Sequence, residues 1–397
     1  MRDKEIERLI KLEEKRQKGA VNLIASENYV SKDVLSALGS VFTNKYAEGY
    51  AGKRYYGGNE VVDKIENLAK ARALKLFKIS EKKWSANVQP YSGSPANLAV
   101  YLALVPLGKK IMGMSLSMGG HLTHGHLVSA TGKLWKWSHF GVGKKTELLD
   151  YDEISKMARR EKPKLIVAGF TAYSRIIDFK KLRKIADETG AFLMIDMSHF
   201  AGLVAGGAYP SPFPYADIVT TTVHKTLRGP RSAIIFAAKR RSFIASGEVG
   251  FLNEAINKAV FPGLQGGPHV NQIAAVAVAL KEAENPSFKK YARQIIKNSR
   301  KLSTELARRG WRIISGGTDS HLFLVDTWMR GISGKTAEEL LGKKGIIVNK
   351  NTIPYDTRSP FDPSGIRIGT AAATTTGLKE KDMLRIADRI DDILKAL

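Results

Sequence analysis

The sequence predicts an α/β protein built on a large, mostly parallel β-sheet, followed by a smaller α+β unit. Short apolar runs of strand length alternate with helical patterns between residues 165 and 236. These runs are apolar throughout rather than alternating with polar residues, which is typical of strands covered on both faces by helices. After about residue 270 the pattern changes to two long helices and then short strands, which indicates a second structural unit.

The elements can be placed in order along the chain. Apolar runs predict strands at 165–170, 191–195, 218–223 and 233–236, and helical spacing predicts a helix at 179–189 that ends at Gly190. The second unit is predicted to contain helices at 270–284 and 288–309, strands at 311–315 and 321–325, and a helical tail after Lys379. Ligands of such parallel sheets bind beyond the carboxyl ends of the strands.

Three parts are expected: an N-terminal helical arm (1–30), a large α/β domain (31–270) and a small C-terminal α+β domain (271–397). Ile6, Leu9 and Ile10 lie on one side of the predicted first helix. No apolar core of a signal peptide follows the first charges, and no apolar run approaches the roughly 18 residues that span a membrane. We therefore expect a cytoplasmic protein without a membrane partner.

Composition excludes several classes of function. The 397 residues contain no cysteine, which excludes disulfides, cysteine-ligated metals and thiol catalysis. The net charge of +25 raises the possibility of anionic partners. The basic residues are spread over helical surfaces without interleaved aromatic side chains, so the charge does not require a nucleic-acid partner. An RNA-binding protein on an inactivated enzyme scaffold remains an alternative that only the charge suggests.

Two apparent motifs fail on inspection. Gly334, Lys335 and Thr336 lack the first glycine of a P-loop, because Met329 stands at its position. The histidines at positions 121, 124 and 126 have no nearby Asp or Glu that completes a set of metal ligands. We therefore expect no metal site.

Three features do carry chemistry. Ser92, Gly93 and Ser94 precede a helical run, where backbone N–H groups can bind a phosphate; the alternative is an ordinary serine helix cap. Asp196 ends an apolar strand and could face a cationic ring nitrogen or simply cap the next turn. Lys225 follows another strand and could form a Schiff base if it is desolvated, although a single lysine is more often a surface residue. Taken together, the three features fit pyridoxal 5'-phosphate (PLP).

Several longer motifs resemble one enzyme family in order and over nearly the whole chain. They are NLIASEN (22–28), NKYAEGY (44–50), KRYYGG (53–58), GGHLTHG (119–125), TTTVHKTL (220–227), FPGLQGGP (261–268), SGGTD (315–319) and SGIRIGT (364–370). On these motifs the chain resembles the serine hydroxymethyltransferases, PLP-dependent enzymes of fold type I. The resemblance implies a large seven-stranded sheet domain, mixed but mostly parallel, and a smaller C-terminal domain.

The resemblance also implies roles at the cofactor. Lys225 should hold PLP as a Schiff base, Asp196 should pair with the pyridine nitrogen, His121 should stack on the ring and His199 should bond near its phenolic oxygen. Other residues expected at the cofactor are Ser92, Gly93, Ser94, Thr171, His224, Tyr46, Gly266 and Gly267. In the family pattern, a partner subunit contributes the last three of these residues, Tyr46, Gly266 and Gly267. The resemblance therefore implies a homodimer with shared active sites.

For the substrates, the resemblance implies that Arg367 clamps the carboxylate of serine or glycine, with Ser26 and Tyr56 nearby. Glu48 is expected to transfer protons and to complete the catalytic set with Lys225, His121 and His224. The pterin site is expected to contain Glu48, Tyr55, Leu122, Asn351, Ser359, Pro360 and Phe361.

The implied reaction is the reversible transfer of the hydroxymethyl carbon of L-serine to a tetrahydropterin, which yields glycine. The chain departs from the family pattern at Thr171, Ser198, 232–233 and 371–376. The last two departures leave the carrier open between tetrahydrofolate and a modified pterin of the archaeal type. A serine- or threonine-cleaving aldolase of the same fold, working without a pterin, is the alternative among enzymes.

Overall fold

A seven-stranded mixed β-sheet forms the centre of the computed structural model, which describes residues 1–239, 242–245 and 248–396. The strands of all the sheets in the described chain are β1 (Val21–Asn22), β2 (Gly49–Tyr50), β3 (Lys53–Arg54), β4 (Trp84–Asn87), β5 (Lys110–Met114), β6 (Lys136–Phe140), β7 (Leu165–Ala168), β8 (Phe192–Asp196), β9 (Ile218–Thr222), β10 (Ala233–Ala238), β11 (Ser242–Ala245), β12 (Glu248–Phe251), β13 (Arg312–Ile313), β14 (Leu322–Asp326), β15 (Ile346–Ile347), β16 (Asn349–Asn351) and β17 (Gly365–Gly369).

The described helices cover both faces of this sheet, pack against a smaller second sheet or lie on the surface. They are α1 (Lys4–Gly19), α2 (Lys32–Leu38), α3 (Glu60–Leu76), α4 (Gly93–Leu104), α5 (Ala130–Leu134), α6 (Tyr151–Glu161), α7 (Phe179–Thr189), α8 (Ala201–Ala205), α9 (Leu252–Lys258), α10 (Val270–Ala283), α11 (Pro286–Arg308), α12 (Gly334–Lys343), α13 (Ala371–Thr375) and α14 (Glu380–Lys395).

The order of the large sheet is β4-β10-β9-β8-β7-β5-β6. Strand β10 runs antiparallel to both of its neighbours, and the remaining pairs are parallel. The prediction of a mixed, mostly parallel seven-stranded sheet is therefore confirmed. Parallel pairing places the carboxyl ends of β7, β8 and β9 at one edge of the sheet, where the predicted site residues follow them.

The apolar runs are continuous because both faces of the sheet are buried. Ile166 and Leu193 belong to the core shared with Leu182 of α7. Their neighbours Leu165 and Met194 belong to the core on the opposite face, under α4. Successive side chains of a strand point to opposite faces, so a strand covered on both sides needs apolar residues at every position.

Helix α7 shows how local sequence sets an element's ends. The Asp178 carboxylate accepts a hydrogen bond from Lys181 N at 3.0 Å, which caps the first turn. Gly190 follows the last turn with a φ of 69°, a left-handed conformation that glycine adopts without steric cost. The predicted bounds of this helix are confirmed.

A second sheet, of order β13-β14-β17-β16, is antiparallel throughout. Its core includes residues from α11, α12 and α14. The strand predicted at 311–315 is shorter, because β13 ends at Ile313 and Ser315 has a φ of 57°. The Ser315 carbonyl oxygen accepts a hydrogen bond from Arg175 Nε at 3.1 Å, so this residue serves a contact with the loop after β7 instead of pairing in the sheet.

The N-terminal segment links the two sheets. Helix α1 contains no buried residue, and Ile6, Leu9 and Ile10 are exposed along it. Beyond α1 the chain pairs with β15, and the Leu23 carbonyl oxygen accepts a hydrogen bond from Gly369 N at 2.7 Å. It then reaches the loop after β9, where Asn28 Nδ2 donates to the carbonyl oxygen of Lys225 at 2.9 Å. Within the described ranges, no helix is long and apolar enough to cross a membrane.

Candidate active site

A cavity of about 870 Å³, measured with its open mouth, lies at the carboxyl ends of β7, β8 and β9. Its walls come from the segment before α2, the start of α4, and the loops after these strands. The lining residues are Ser26, Glu27, Ser92, Gly93, Ser94, Asn97, His121, His124, Phe170, Thr171, Asp196, Ser198, His199, Thr222, His224, Lys225 and Arg231. Ten residues predicted for the site from the sequence are among them.

The start of α4 supplies an anion-binding end. Ser92 is the N-cap residue of this helix, but its side chain makes no capping hydrogen bond, which disfavours the alternative of an ordinary serine cap. A Cβ at Gly93 would lie 2.8 Å from Cγ2 of Thr222, so a side chain there would force the helix away from β9. Ser92, Gly93 and Ser94 line the cavity, so the N-terminus of α4, with the positive end of the helix dipole, lies beside it.

Asp196 is a buried carboxylate at the end of β8. Its Oδ2 accepts from Asn97 Nδ2 at 2.9 Å and lies 3.3 Å from His124 Nε2, while its Oδ1 accepts from Ser198 N at 3.1 Å. Burial alone would raise the pKa of this carboxyl, but the hydrogen bond and charge of His124 outweigh it and lower the pKa below the ordinary value. Asp196 is therefore held as an anion.

Lys225 is buried in the loop after β9, with 8% of its surface exposed. Burial lowers the pKa of its amine to about 8, opposed by the charge of Asp196 and assisted by those of Arg367 and Arg231. A lysine with a lowered pKa carries more free amine near neutral pH, which is the form that attacks a carbonyl. Lys225 is therefore a buried residue and not the surface lysine that was the alternative.

The site contains histidines that are neutral near pH 7, namely His121, His199 and His224. His121 Nδ1 lies 2.7 Å from Thr123 Oγ1, and burial, together with the charge of His124, lowers the pKa of His121 to about 4. Burial and the charge of Lys225 lower the pKa of His224 to about 3. Burial lowers the pKa of His199 well below its ordinary value. A neutral imidazole can stack on a ring or accept a proton, but it adds no cationic charge to the cavity.

Arg367, on β17 of the second sheet, is not a lining residue of the cavity but is buried directly behind Thr171, which is. Its Nη1 donates to the Thr171 carbonyl oxygen at 2.7 Å, and its Nε donates to Asn349 Oδ1 at 3.1 Å. Burial lowers the pKa of the guanidinium to about 10, so it remains a cation. Because Nη2 makes neither of these bonds, a fixed guanidinium edge remains for an incoming carboxylate.

A second group of predicted residues does not line this cavity within one chain. We call residues 46–56, which contain β2 and β3, the tyrosine hairpin. Tyr46 donates to Glu48 Oε1 at 3.2 Å, and its ring packs 5.1 Å from that of Tyr56. A Cβ at Gly266 would lie 3.2 Å from Glu48 Oε1, and one at Gly267 would lie 3.2 Å from the Tyr46 ring. The structure therefore brings Tyr46, Glu48, Tyr56, Gly266 and Gly267 together, apart from Lys225.

The backbone of the hairpin is firmly anchored. Arg54 Nη1 donates to the carbonyl oxygens of Ala47 and Gly49, at 2.9 and 2.7 Å, on either side of Glu48. The same guanidinium pairs with Glu66 at 2.7 Å. Gly49 has a φ of 93°, and a Cβ there would lie 2.2 Å from the Lys53 carbonyl oxygen. These contacts fix the position of Glu48 while leaving its carboxylate half-buried.

The residues predicted for the pterin lie outside the cavity as well. Leu122 is exposed. Asn351 is the last residue of β16, and its Nδ2 donates to the Thr352 carbonyl oxygen at 2.7 Å. Ser359 and Pro360 are exposed, and Phe361 is 84% exposed. Tyr55, from the tyrosine hairpin, is 73% exposed and packs edge-on against Phe261 at 5.7 Å.

Sequence reasoning missed several polar residues that hold this site together. Asn97 bridges Asp196, Thr123 and Thr220, and its place in the 92–97 motif was a usable signal. His124 was considered only as a metal ligand, whereas the structure places it against Asp196. Asn349, two residues before the predicted Asn351, bonds Arg367. No local pattern in the sequence points to it.

Positions that depart from the family pattern take part in this supporting network. Ser198 Oγ accepts a hydrogen bond from Thr222 N at 3.0 Å, between the loops after β8 and β9. Thr375 Oγ1 donates to Asn28 Oδ1 at 2.7 Å, and Asn28 in turn donates to the Lys225 carbonyl oxygen. These residues therefore support the loop that carries Lys225.

Comparisons with known proteins agree with this geometry. A family model described as serine hydroxymethyltransferase matches residues 1–390. A serine hydroxymethyltransferase of Acidobacterium capsulatum is 56% identical over 380 residues, covering 96% of this chain and 86% of the relative. One of Koribacter versatilis is 54% identical over 393 residues, covering 99% and 89%. With an α/β fold of the predicted topology and matches over nearly its whole length, the chain belongs to the serine hydroxymethyltransferase family, whose enzymes depend on PLP.

Proposed function

We propose that this chain transfers the hydroxymethyl carbon of L-serine reversibly to a tetrahydropterin and releases glycine. One observation carries the proposal: a single cavity joins the open N-terminus of α4, the anionic Asp196 and the buried Lys225. A phosphate-binding end, a carboxylate and an amine of lowered pKa are the three groups that PLP requires. Arg367 adds a site for the carboxylate of an amino acid at the same cavity.

The residues of the cavity fit PLP, which supplies an electron sink for bond cleavage at the α-carbon when it is bound. Ser92, Gly93 and Ser94 would hold the phosphate through backbone N–H groups at the start of α4. Asp196 would keep the pyridine nitrogen protonated, because its own charge is stabilised by Asn97 and His124. Lys225 would bond the aldehyde carbon.

The remaining cavity residues would orient the ring and the substrate. His121 would stack on the ring, while Thr171, His199 and His224 would contact its other edges. Arg367 would bind the serine carboxylate through Nη2, with Nε and Nη1 already held by protein acceptors. Ser26 lines the cavity and would bond the serine hydroxyl, beside Tyr56 from the hairpin.

Glu48 would move the proton at the serine hydroxyl and at the pterin. The pterin would lie against Tyr55, Leu122, Asn351, Ser359, Pro360 and Phe361. An aldolase needs no such apolar and polar surface beyond the cavity, and the exposed rings of Tyr55 and Phe361 support a site for a flat heterocycle.

We further propose that the enzyme is a homodimer in which each tyrosine hairpin completes the cavity of the partner. The hairpin carries predicted cofactor and substrate residues that do not line the cavity of their own chain, and Tyr46, Tyr55 and Tyr56 are exposed. Helix α1 also exposes its apolar side chains, which supports a partner surface there.

Mixed dimers test this arrangement. A Lys225→Ala chain and a Glu48→Gln chain carry different tags, are co-expressed, and the doubly tagged dimer is purified. If hairpins cross over, one of its two sites keeps both residues, and about half of the wild-type activity returns. The matched control pairs Lys225→Ala with the Lys225→Ala/Glu48→Gln double variant, which leaves no intact site. A doubly tagged dimer no more active than the Glu48→Gln homodimer would overturn the shared site.

The division of the chain predicted from the sequence also stays a proposal: an arm of residues 1–30, a large unit at 31–270 and a small unit at 271–397. Separate cores around the two sheets support two units. Helix α10, just after the proposed boundary, packs on α2 and α3 of the large unit. The cytoplasmic location stays a prediction as well.

The activity is tested by giving the purified holoenzyme serine with tetrahydrofolate, with tetrahydromethanopterin, or with no pterin. We expect glycine formation to depend on one of the two carriers. Equal rates of glycine formation in all three assays would favour the aldolase. A protein that shows no covalent PLP and no turnover, yet retains RNA on a column, would contradict the enzyme assignment.

A further inference from the structure

Two buried histidines join the two sheets beside the cavity. His199 lies in the loop after β8, and His321 directly precedes β14. His199 Nδ1 is 3.2 Å from His321 Nε2, and the ring centroids are 5.4 Å apart with planes inclined by 31°. His199 is 4% exposed and His321 is 1% exposed. Only His199 lines the cavity, so His321 acts on the site through its neighbour.

A hydrogen bond between two neutral imidazoles couples their tautomers. Each neutral ring has one N–H and one unprotonated nitrogen. If His199 Nδ1 donates, His321 Nε2 must accept, and the reverse holds equally. In either arrangement, the nitrogen of His199 that is not in this bond has a fixed role as donor or acceptor.

Protonation does not remove this constraint near neutral pH. Burial lowers the pKa of His321 to about 3, and the charges of Arg367 and Lys225 act in the same direction. Burial and the charges of Lys225 and Arg367 also keep the pKa of His199 well below its ordinary value. The two rings therefore carry one N–H proton each, and only one of these two protons lies between them. A third proton would place a cation beside Lys225 and Arg367.

The position of His321 is set by the backbone around it. Its carbonyl oxygen accepts from Thr370 N at 2.9 Å, and Asp319 N donates to the Ser174 carbonyl oxygen at 2.9 Å. Thr318 Oγ1 donates to the Leu322 carbonyl oxygen at 2.6 Å, which closes the turn before β14. Strand β14 pairs with β17, where Leu324 lies opposite Arg367. The ring that contacts His199 thus belongs to the same rigid sheet as the proposed substrate clamp.

We propose that His321 is a positioning residue that fixes the ring plane of His199 and couples the tautomer of His199 to its own, and so limits the hydrogen-bonding role that His199 presents to the cofactor. The inference rests on the proposed place of His199 beside the PLP ring. It adds a residue of the second sheet to the machinery that orients the cofactor.

Two variants separate this role from simple packing. His321→Gln keeps an amide near the position of Nε2 that can donate or accept, whereas His321→Leu has similar bulk and no polar atom. In apoenzyme labelled with ¹⁵N-histidine, the ring nitrogens report each tautomer directly, and the absence of one signal set in His199→Gln assigns His199. We expect a single His199 tautomer in the wild type and in His321→Gln, and a mixture of tautomers in His321→Leu.

Kinetics of the holoenzyme provide the second readout. His321→Leu should lower kcat about three- to tenfold, the loss expected for one hydrogen bond, with KM for serine nearly unchanged. His321→Gln should restore kcat to within about twofold. If His321→Leu does not fold, His321→Asn replaces it, since its shorter amide does not reach His199 Nδ1. Wild-type tautomers and kcat in His321→Leu or His321→Asn would overturn the inference, whereas absence of covalent PLP in the wild type would instead overturn the proposed cofactor site.

Discussion

The cavity around Lys225 and the tyrosine hairpin carry the two halves of the proposed chemistry, but the chain treats them differently. Lys225, Asp196 and Arg367 are buried, and each lies in a network of contacts from several elements. The hairpin is anchored through Arg54, yet Tyr46, Tyr55 and Tyr56 are exposed, with Tyr55 at 73%.

This difference shows where a single chain suffices and where another surface is needed. The buried groups already have the environment that alters their reactivity, because desolvation and fixed partners shift the pKa of Lys225 and of Asp196. The hairpin has a fixed backbone and exposed aromatic side chains, which is the form of a surface prepared for contact. Variants in the two regions should therefore fail in different ways.

The largest effect is expected from Lys225→Ala. Removal of the amine should eliminate covalent PLP and reduce glycine formation by several orders of magnitude, because none of the other described residues that line the cavity carries an amine. Borohydride reduction followed by mass spectrometry measures the covalent attachment. Lys184→Ala, at an exposed lysine of α7, is the matched control and should behave as wild type. Covalent cofactor in Lys225→Ala would contradict the assignment.

Glu48→Gln should separate the two regions most clearly. We expect glycine formation with the pterin to fall roughly 10²-fold or more, the usual contribution of a group that transfers a proton. Cofactor affinity should stay unchanged, because Glu48 is assigned to the serine hydroxyl and the pterin rather than to PLP. Absorbance titration of the apoenzyme with PLP measures that affinity, and Glu60→Gln, exposed at the start of α3, is the control. A large loss of cofactor affinity would show that the hairpin and the cavity do not have separate roles.

Arg367→Lys tests how the cavity binds substrate. Lysine keeps the charge but loses the planar fork that Asn349 and Thr171 hold in place. KM for serine should rise about 10- to 100-fold, as expected for a lost charge-assisted hydrogen bond. Steady-state kinetics give KM, while the PLP titration should match the wild type. An unchanged KM would place the serine carboxylate elsewhere.

The smallest effect is a shift along the pH axis. Since burial lowers the pKa of Lys225 to about 8 from an ordinary value of 10.5, and the free amine is the reacting form, the rate at which apoenzyme bonds PLP should rise with pH and reach half its maximum near 8. Asp196→Asn removes a negative charge that raises this pKa, so its midpoint should be lower. Stopped-flow absorbance measures both. A midpoint near 10.5 would mean that Lys225 is not desolvated.

Much of the fold could be predicted because its signals are local. The continuous apolar runs of β7, β8 and β9 and the cap residues of α7 follow from neighbouring residues alone. The strand predicted at 311–315 was too long for the opposite reason: its end depends on a hydrogen bond from Arg175, more than a hundred residues away. Asn349 and His321 were missed at the site because their partners, Arg367 and His199, lie on other elements.

By itself, the sequence determined the fold class, the order of the elements and the family, since these depend on periodicity and on motifs that are contiguous in the chain. Only the tertiary structure decided that Lys225 is buried rather than exposed, that Ser92 does not cap its helix, and that Glu48 stands apart from the cavity of its own chain. The reason is physical: burial, pKa and hydrogen-bond partners are properties of distant residues brought together, and local sequence does not encode them.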